Sequence, residues 1–532
     1  MICFSISARA VLWIALAIAA SYFPAATSTG LVNSTECSSS SQGEAFLSIN
    51  WWSRNEKNSP KSCEWHGITC NKEGWVTEIN QVGTFAGKEI DNLSLCAFPN
   101  LVRIDLHEME LTGSIPASIG TLSNLIYLNL SLNKISGPLP FALGRLTKLQ
   151  VLDISDNNLS SYIPAELGGL GSLTWLNLSH NDLSGPIPSA LGDLSNLKYL
   201  DLGSNRLSDF IPPELGNLTS LIALNLSQNI LFGQMAPALG LLSNLNFLDI
   251  SWNKIIGPIP VELGELKSLF VLNMRNNCLC CQVPPVLGRL TNLSTLDLSS
   301  NQIEGFIPPE LGKLNNLLIL DLSNNKIANQ IPLSLGNLTR LNYLCLSKNR
   351  FNCSIPPSFS QLSNLTELDL SENKVSGTIP PELGRLFKLW ILDLSDNELN
   401  GTIPQKFGGC LSLQTLDLSK NHLSGKIPDK LGRLTDLTQL DLSRNSLSGT
   451  IPHSFCGKYW LNLDLSSNKL ECRDFDNHHG LCGKTSCLLP CRKEHQSKFP
   501  VAILIWRLLA MPFESISLWH LQNQQSSVIF QS

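Results

Sequence analysis

A unit of 24 residues repeats through most of the 532-residue chain. Its leading Leu recurs without a slip from Leu101 to Leu437, which gives fifteen repeats, and a degenerate sixteenth begins near Trp460. The unit follows the pattern L-x-x-L-x-L-x-x-N-x-L-x-G-x-I-P-x-x-L-G-x-L-x-x. A fixed period of this length is the signature of a repeat array in which all units share one local structure. We therefore predict one continuous array rather than several unrelated globular domains.

The positions within one unit, residues 173–196, predict the path of its backbone. Leu176 and Leu178 alternate with polar residues, which is the period of a strand with the leucines facing inward. Asn181 stands in a column that holds Asn in fourteen of the first fifteen repeats, and we expect its amide to satisfy backbone groups at the turn. Pro188 ends the next extended segment. Because one coil cannot bury its own apolar face, the coils must stack and the array needs caps at both ends.

This repeat resembles the plant-type leucine-rich repeat of receptor-like kinases and receptor-like proteins. The distinguishing L-x-G-x-I-P is represented by Ile187-Pro188, and the Pro is present in fourteen of fifteen repeats, with Met235-Ala236 as the departure. The resemblance implies an α/β-type repeat solenoid, a right-handed superhelix with parallel strands on the concave face and disulfide-capped ends. It also implies an extracellular ectodomain that binds ligands or partner receptors.

Cysteines before the array resemble the N-terminal cap of the same family. The segment from Cys63 to Cys70 matches C-x-W-x-G-x-x-C. This likeness implies a Cys63–Cys70 disulfide with Trp65 packed under the first coil. The upstream Glu44-Ala-Phe-Leu and Trp51-Trp52 are similar to the short cap helices of that family.

Cysteines after the array resemble the C-terminal cap, in which Cys482 would pair with Cys491 or Cys487. Removal of Cys3 with a leader would leave fifteen of the sixteen cysteines. Since that number is odd, at least one thiol is free or pairs between molecules. The pairing of several others stays open: Cys37, Cys96, Cys456, Cys472 and Cys487.

The remaining cysteines lie inside the array. Cys410 replaces a Leu of a core column, so we expect a buried thiol. Cys281 and Cys353 share the column of the repeat's Gly, but three coils, about 14 Å, separate them, which is beyond disulfide reach. The cluster Cys278-Leu-Cys280-Cys281 has no His or second Cys pair at a suitable spacing, so no metal site is predicted.

The N-terminus predicts secretion. Arg9 precedes an apolar run, Ala10 to Ala20, and small residues follow it, so residues 1–28 are predicted to be a signal peptide cleaved between Ala25 and Thr29. Sixteen cysteines also favour an oxidising compartment. The net charge of −5, without a long Lys/Arg run, argues against nucleic acid as a partner.

Twelve Asn-x-Ser/Thr sequons agree with a secreted glycoprotein. Those at Asn129, Asn177 and Asn225 occupy outward strand positions of alternate coils, so glycans there would shield coils two to six. The full set is Asn33, Asn92, Asn129, Asn158, Asn177, Asn217, Asn225, Asn292, Asn337, Asn352, Asn364 and Asn400.

Side-chain variation on the concave face locates a candidate ligand site, because the core does not dictate residue type there. Exposed aromatic residues with Arg are typical of binding hot spots. Coils seven to eleven are the barer surface, and we predict a peptide or protein site there. Its candidate residues are Phe247, Trp252, Arg275, Tyr343 and Lys348.

No catalytic constellation is found in the sequence. A Gly-rich phosphate loop, H-E-x-x-H and G-x-S-x-G are all absent, and Val501-Ala-Ile-Leu504 has Leu in place of the kinase Lys. Eleven of sixteen coils carry Asp at the central outward strand position, which we expect to support neighbouring backbone and Ser groups rather than calcium. We predict no enzyme activity, no cofactor and no metal.

The C-terminal tail contains an apolar segment, Phe499 to Phe513, of fifteen residues with Arg507 inside it. A spanning helix needs about 20 residues, so no full transmembrane helix is predicted, and membrane association stays open. A receptor kinase would continue into a membrane helix and a kinase, so the chain is interpreted as a receptor ectodomain that lacks both. The predicted organisation is signal peptide 1–28, N-terminal cap 29–100, repeats 101–471, C-terminal cysteine cap 472–491 and tail 492–532.

Two functions remain open. The first is recognition of a peptide or protein ligand, or of a partner receptor such as a co-receptor leucine-rich-repeat kinase, in plant cell-surface signalling or defence. The second is inhibition of microbial cell-wall-degrading enzymes by a secreted protein. Such inhibitors usually have about ten plant-type repeats, whereas this array has fifteen or more, so length favours the receptor interpretation.

Overall fold

The computed structural model describes residue 42 and residues 62–80, 88–93, 95–455 and 458–471. All of them belong to one compact unit, Pro24–Leu489. The predicted signal peptide, the cap helices, the C-terminal cap with Cys482 and Cys491, the tail and the sequon at Asn33 lie outside these residues.

One 18-stranded sheet runs through the described part of this unit, with two strands before the repeats and one strand from each of the sixteen coils. The first two strands pair antiparallel and the others are parallel. From Arg103–Asp105 to Gln439–Asp441 the register joins each residue to the one 24 positions later, as at Leu200 and Leu224, and the pairings before and after that stretch are offset by 25 and 23 residues. The middle residue of each repeat strand points into the core; Leu200, for example, is 1% exposed. The strands are Ile68–Cys70, Val76–Asn80, Arg103–Asp105, Tyr127–Asn129, Val151–Asp153, Trp175–Asn177, Tyr199–Asp201, Ala223–Asn225, Phe247–Asp249, Val271–Asn273, Thr295–Asp297, Ile319–Asp321, Tyr343–Cys345, Glu367–Asp369, Ile391–Asp393, Thr415–Asp417, Gln439–Asp441 and Asn462–Asp464.

Shorter strands flank the main sheet where each coil passes through its L-x-G segment. They form small parallel sheets of four, three, two, two and three strands, which the repeat pattern had not predicted. In chain order they are Ser136–Pro138, Asn158–Ser161, Asp182–Pro186 and Arg206–Ser208; Phe232–Gln234, Lys254–Gly257 and Cys278–Leu279; Ala328–Asn329 and Arg350–Phe351; Ser376–Thr378 and Glu398–Asn400; and Ser424–Gly425, Ser446–Thr450 and Lys469–Glu471.

The side of each coil opposite the main sheet is a short 3₁₀ helix that begins after the I-P dipeptide. Pro188, with φ of −63°, precedes one such helix, and its residue Leu191 is fully buried. Those of the fifteen repeats are Ala117–Thr121, Phe141–Arg145, Ala165–Gly169, Ser189–Asp193, Pro213–Asn217, Pro237–Leu241, Val261–Glu265, Pro285–Arg289, Pro309–Lys313, Leu333–Asn337, Pro357–Gln361, Pro381–Arg385, Gln405–Gly409, Asp429–Arg433 and His453–Phe455. Three further 3₁₀ helices precede the repeats, at Ser62–Glu64, Ile90–Asn92 and Leu95–Ala97.

The Asn of each turn satisfies backbone groups of its own coil and of the preceding coil. At Asn253, Oδ1 accepts a hydrogen bond from the Leu231 N–H at 3.0 Å. Its Nδ2 donates to the carbonyls of Leu226, Ile250 and Ser251 at 2.9–3.1 Å. The predicted role of this column is therefore confirmed, and it avoids a cost of about 1–3 kcal/mol for each buried group left unpaired.

The N-terminal end of the unit holds the disulfide implied by the C-x-W-x-G-x-x-C motif. Cys63 and Cys70 are bonded, with their Cα atoms 5.6 Å apart, and Trp65 is buried in the same continuous core as the repeat leucines. Cys410 is also in that core, and burial raises the pKa of its thiol to about 12. Within the described ranges, no helix has the length and the apolar surface required to cross a bilayer.

Candidate functional site

The strand face consists of the outward side chains of the main sheet and of the two residues that lead each strand into its turn. Its central column is the Asp ladder. Asp249 shows the pattern: Oδ1 accepts the Ser251 backbone N–H at 2.8 Å, and Oδ2 accepts the Asn273 amide of the next coil at 2.9 Å. The ladder thus supports backbone and Ser groups, as expected, and the described residues contain no group of side chains suited to hold a metal ion.

Several carboxyl groups of this face hold their protons more tightly than free carboxyl groups do. The pKa is raised to about 7 at Asp321, to about 7 at Asp393 and to about 8 at Glu367. Burial is the largest cause at each, and repulsion from a neighbouring carboxylate is the second. The strand face therefore presents carboxyl groups whose charge changes near neutral pH.

Three of the five candidate residues lie on coils seven and eight. Trp252 is 49% exposed, and its backbone is left-handed with φ of 54°. The Arg275 guanidinium lies 5.9 Å from the centre of the Trp252 ring, within the range of a cation–π interaction. Arg275 occupies a column in which both adjacent coils carry Ser, at Ser251 and Ser299. The two side chains form one aromatic and cationic group, which we call the Trp252–Arg275 pair.

The structure differs from the sequence prediction at Phe247, which is only 3% exposed. Its strand pairs in register with Ala223 on one side and Val271 on the other, so two small side chains flank the ring. The outward strand position alone therefore did not establish exposure. Phe247 offers little surface to a ligand.

The other two candidates lie on coil eleven, about 14 Å from Arg275 by strand spacing. Tyr343 is half-buried, and burial, followed by repulsion from Asp321, raises the pKa of its phenol well above the usual value. The exposed Lys348 holds its Nζ 3.7 Å from Glu372 Oε1. Two coils separate this group from the Trp252–Arg275 pair, so the five residues form two groups on one face rather than a single cluster.

The sequon geometry corrects the expected shielding at coil six, whereas Asn129 and Asn177 on the earlier coils are partly exposed. Asn225 is buried, and its Nδ2, the atom that would carry a glycan, donates to Asp201 Oδ1 at 2.9 Å. Its Oδ1 accepts from both the backbone N–H and the hydroxyl of Ser227. An outward strand position is therefore not always accessible, because the Asn225 amide is held by hydrogen bonds to Asp201 and Ser227. Six other sequons are exposed, at Asn158, Asn217, Asn292, Asn337, Asn352 and Asn400.

A charged and aromatic group on the first coils was not among the predicted site residues. The Arg103 guanidinium lies 3.5 Å from the centre of the Tyr127 ring and 2.6 Å from Asp105 Oδ2. His107 Nδ1 lies 2.9 Å from the other oxygen of Asp105. The signal was present in the sequence, because His107 stands in the same Ser column as Arg275. Since Asp105 contacts both the Arg103 and the His107 side chains, we interpret this group as internal to the face.

Exposed aromatic residues also line one flank of coils two to six. Phe141, Tyr162, Phe210 and Phe232 are each about half exposed or more, and the rings of Phe210 and Phe232 lie 6.1 Å apart, edge to face. Two of them fill the variable position between Gly and Ile of L-x-G-x-I-P. A comparison of that column across the repeats, like the comparison made for the strand column, would have identified Tyr162 and Phe210.

Comparisons with known proteins agree on the repeat. Models described as leucine-rich repeat region and leucine-rich repeat match residues 82–236, 365–423 and 387–447, and four further single repeats at 244–266, 292–314, 316–338 and 340–362. A curated relative, the leucine-rich repeat receptor-like serine/threonine-protein kinase RGI4 of Arabidopsis thaliana, is 39% identical over 82 residues. That match covers 15% of this chain and 7% of the relative, so the likeness is confined to a small part of the kinase's length.

Two solved structures are similar over most of the array. The ectodomain of the Arabidopsis thaliana membrane receptor kinase GASSHO1/SCHENGEN3, in complex with CASPARIAN STRIP INTEGRITY FACTOR 2, has a TM-score of 0.62 and 35% identity. The match covers 81% of this chain and 58% of that chain, which is less than two thirds of its length. The plant peptide hormone receptor RGFR1 in complex with RGF2 has a TM-score of 0.55 and 31% identity, with 77% of this chain and 76% of that chain covered.

Proposed function

Because the chain belongs to the leucine-rich-repeat family, and within it is similar to plant receptor-kinase ectodomains, we propose that it is an extracellular recognition module. It binds a peptide or protein ligand on the strand face, in plant cell-surface signalling or defence. A co-receptor leucine-rich-repeat kinase is a further partner. The protein reaches the cell exterior by a cleaved signal peptide.

The Trp252–Arg275 pair carries this proposal. The core columns of the repeat are occupied almost uniformly, since each must fill the same space between stacked coils. At the pair, a large ring stands where the adjacent coils place Gln228 and Asn276, and a guanidinium stands where they place Ser251 and Ser299. Aromatic and Arg side chains supply most of the binding free energy at protein interfaces, so this departure from the repeat is expected to serve binding rather than folding.

The relatives supply independent support. One similar structure is a plant peptide hormone receptor with RGF2 bound, and the other is a receptor-kinase ectodomain with CASPARIAN STRIP INTEGRITY FACTOR 2 bound. Both are recognition modules on the same scaffold. By analogy, ligand recognition is the function that this array supports best.

Binding of a pooled library of synthetic secreted plant peptides to the purified chain tests the proposal. The variant Trp252→Asn/Arg275→Ser gives each position a residue that an adjacent coil carries, Asn276 in one column and Ser251 or Ser299 in the other, so it is expected to fold normally. Removal of two anchors of this kind should weaken binding of a captured ligand at least about tenfold, since each typically contributes more than 1 kcal/mol.

The matched control is Leu333→Ser, which changes an exposed residue on the 3₁₀ side of coil ten. It should leave affinity unchanged. A captured ligand that binds the double variant as tightly as the wild type would place the site elsewhere. In a separate assay on the same purified chain, binding of a fungal polygalacturonase with no peptide captured from the library would support the inhibitor function.

A further inference from the structure

Two adjacent cysteines stand on the flank of coil eight, immediately after the strand Cys278–Leu279. Cys281 takes the place of the repeat's Gly. The flanking glycines of this column, Gly257 and Gly305, have φ of 83° and 84°, and Cys281 adopts φ of 66°. The sequence has therefore replaced a Gly with Cys at a left-handed position, where a side chain carries a conformational cost of about 1–2 kcal/mol.

The backbone of the pair is held on both sides by neighbouring coils. The Cys280 N–H donates to the Gly257 carbonyl at 2.9 Å, and the Glu304 N–H donates to the Cys281 carbonyl at 2.9 Å. The backbone at these two residues therefore cannot change conformation without breaking hydrogen bonds to coils seven and nine. Their relative position is a property of the fold.

This backbone brings the two sulfur atoms together at the surface. Cys280 Sγ and Cys281 Sγ are 3.1 Å apart, and Cys281 is exposed while Cys280 is partly so. Neither is disulfide-bonded. A bond of about 2.05 Å requires an approach of only about 1 Å. Small dissolved reagents can reach the exposed Cys281 thiol directly.

We propose that Cys280 and Cys281 are a reversible redox site that closes to a vicinal disulfide by exchange with a small-molecule disulfide such as oxidised glutathione. The Cys281 thiol loses its proton to water, and the thiolate attacks one sulfur of the oxidant. A mixed disulfide forms, and one glutathione leaves as its thiolate. The Cys280 thiolate then attacks the Cys281 sulfur and releases the second glutathione. Two thiols are oxidised and one oxidant disulfide is reduced to two thiols.

The bond should be easily reduced. Consecutive Cα atoms lie about 3.8 Å apart, below the usual disulfide range of about 4.4–6.8 Å, so the closed ring is strained. Strained and exposed disulfides have the more oxidising potentials and are the labile ones. The Cys63–Cys70 bond, with Cα atoms 5.6 Å apart, lies inside that range and provides an internal reference.

The other cysteines of the array differ in whether they could form a disulfide with this pair. Cys353, which shares the same column, is three coils away, about 14 Å. Cys278 lies two residues before Cys280, on the strand Cys278–Leu279, and is partly exposed, so it is the one nearby thiol among the described residues that must be distinguished experimentally.

The test is thiol mapping on the purified full chain after equilibration with oxidised glutathione. Remaining thiols are alkylated, and the tryptic peptide of residues 276–289, which carries all three cysteines, is analysed by mass spectrometry. We expect one alkyl group, on Cys278, and a loss of two hydrogens between Cys280 and Cys281. Mild dithiothreitol should open this bond while Cys63–Cys70 stays closed.

Two variants make the test specific. Cys281→Gly restores the repeat's own residue and should fold normally but form no bond in this peptide. Cys278→Ser should retain the bond. Three alkylated thiols in the oxidised wild-type peptide, two glutathione adducts without ring closure, or a bond to Cys278 would each overturn the proposal.

Discussion

At the residue scale, polar side chains of the main sheet serve two neighbouring coils at once, and this constrains which of them can serve a ligand. Asn253 binds backbone groups of its own coil and of the coil before it, and Asp249 binds Ser251 and Asn273. A side chain that already hydrogen-bonds to two coils can bind a ligand only by giving up some of those bonds, which lowers stability. Neither side chain of the Trp252–Arg275 pair hydrogen-bonds to a neighbouring coil within the described residues, and Arg275 Nε and Nη1 are buried without a partner, which is why we assign recognition to the pair.

Replacement of Asp321 by Asn tests the cost of burying a carboxyl group in the ladder. Burial raises its pKa to about 7, so the folded chain binds this proton more tightly than the unfolded chain, and its stabilising effect is present at acidic pH and lost as pH rises through 7. Asn keeps the acceptor for the Ser323 N–H, as it does in coils that carry Asn naturally. Asp321→Asn should therefore unfold at a higher temperature than the wild type at pH 8 and at nearly the same temperature at pH 4.

The measurement is a thermal melt at a series of pH values for both proteins. Ser323→Ala is a useful companion, because it removes only the neighbouring hydroxyl and keeps Asp321. It should retain the fall in stability between pH 5 and pH 8. The difference in unfolding temperature between Asp321→Asn and the wild type should be larger at pH 8 than at pH 5. A smaller difference at pH 8 would contradict the raised pKa.

At the element scale, the spacing between coils is set on the 3₁₀ side as much as in the sheet. Gly120 lies in the helix Ala117–Thr121, and a Cβ added there would be 2.7 Å from the Ala142 carbonyl oxygen of the next coil. Since that neighbour is backbone, the coils must separate to relieve the clash. Gly120→Ala should lower the free energy of unfolding by about 1–3 kcal/mol.

Gly171→Ala is the matched control, since a Cβ added at Gly171 would meet no atom within 4 Å and the backbone there is not left-handed. It should be neutral or slightly stabilising, because Ala reduces the entropy of the unfolded chain. Urea denaturation followed by circular dichroism compares both variants with the wild type. Equal midpoints for the two variants would show that the coils accommodate a methyl group freely.

The sequence predicted the main-sheet strands because Leu alternates with outward residues there, and this period of two residues is that of a strand. It did not predict the flanking strands such as Asp182–Pro186, because their side chains show no clear alternation and their pairing depends on the stacking of coils. The candidate site was predicted in part for the same reason. The position of Phe247 in the repeat identified the outward direction of its side chain. Its burial depends on the side chains of the neighbouring strands, and the repeat pattern contains no information on how far a side chain is exposed.

At the scale of the whole molecule, the uniform core columns determine the fold, and the variable surface positions carry the proposed functional sites. The continuous core runs from Trp65 to Leu465 without interruption, so its columns are fixed by stacking. Variation is then tolerated on the strand face and on the flank, where the Trp252–Arg275 pair and the Cys280–Cys281 pair occur. Both sites include residues of coil eight, but they lie on different surfaces, so each can be altered without the other.

Glycan occupancy should follow the same division between surfaces. A glycan attached to Asn225 Nδ2 would have to displace its bond to Asp201 inside the main sheet, whereas Asn217, eight residues earlier, is exposed on the helix Pro213–Asn217. We expect Asn217 to be occupied and Asn225 to be empty in the protein secreted from plant cells. Enzymatic deglycosylation in heavy-oxygen water, followed by peptide mapping, labels each occupied site. Equal occupancy at both would mean that the ladder opens at coil six, and the strand face would then be shielded there after all.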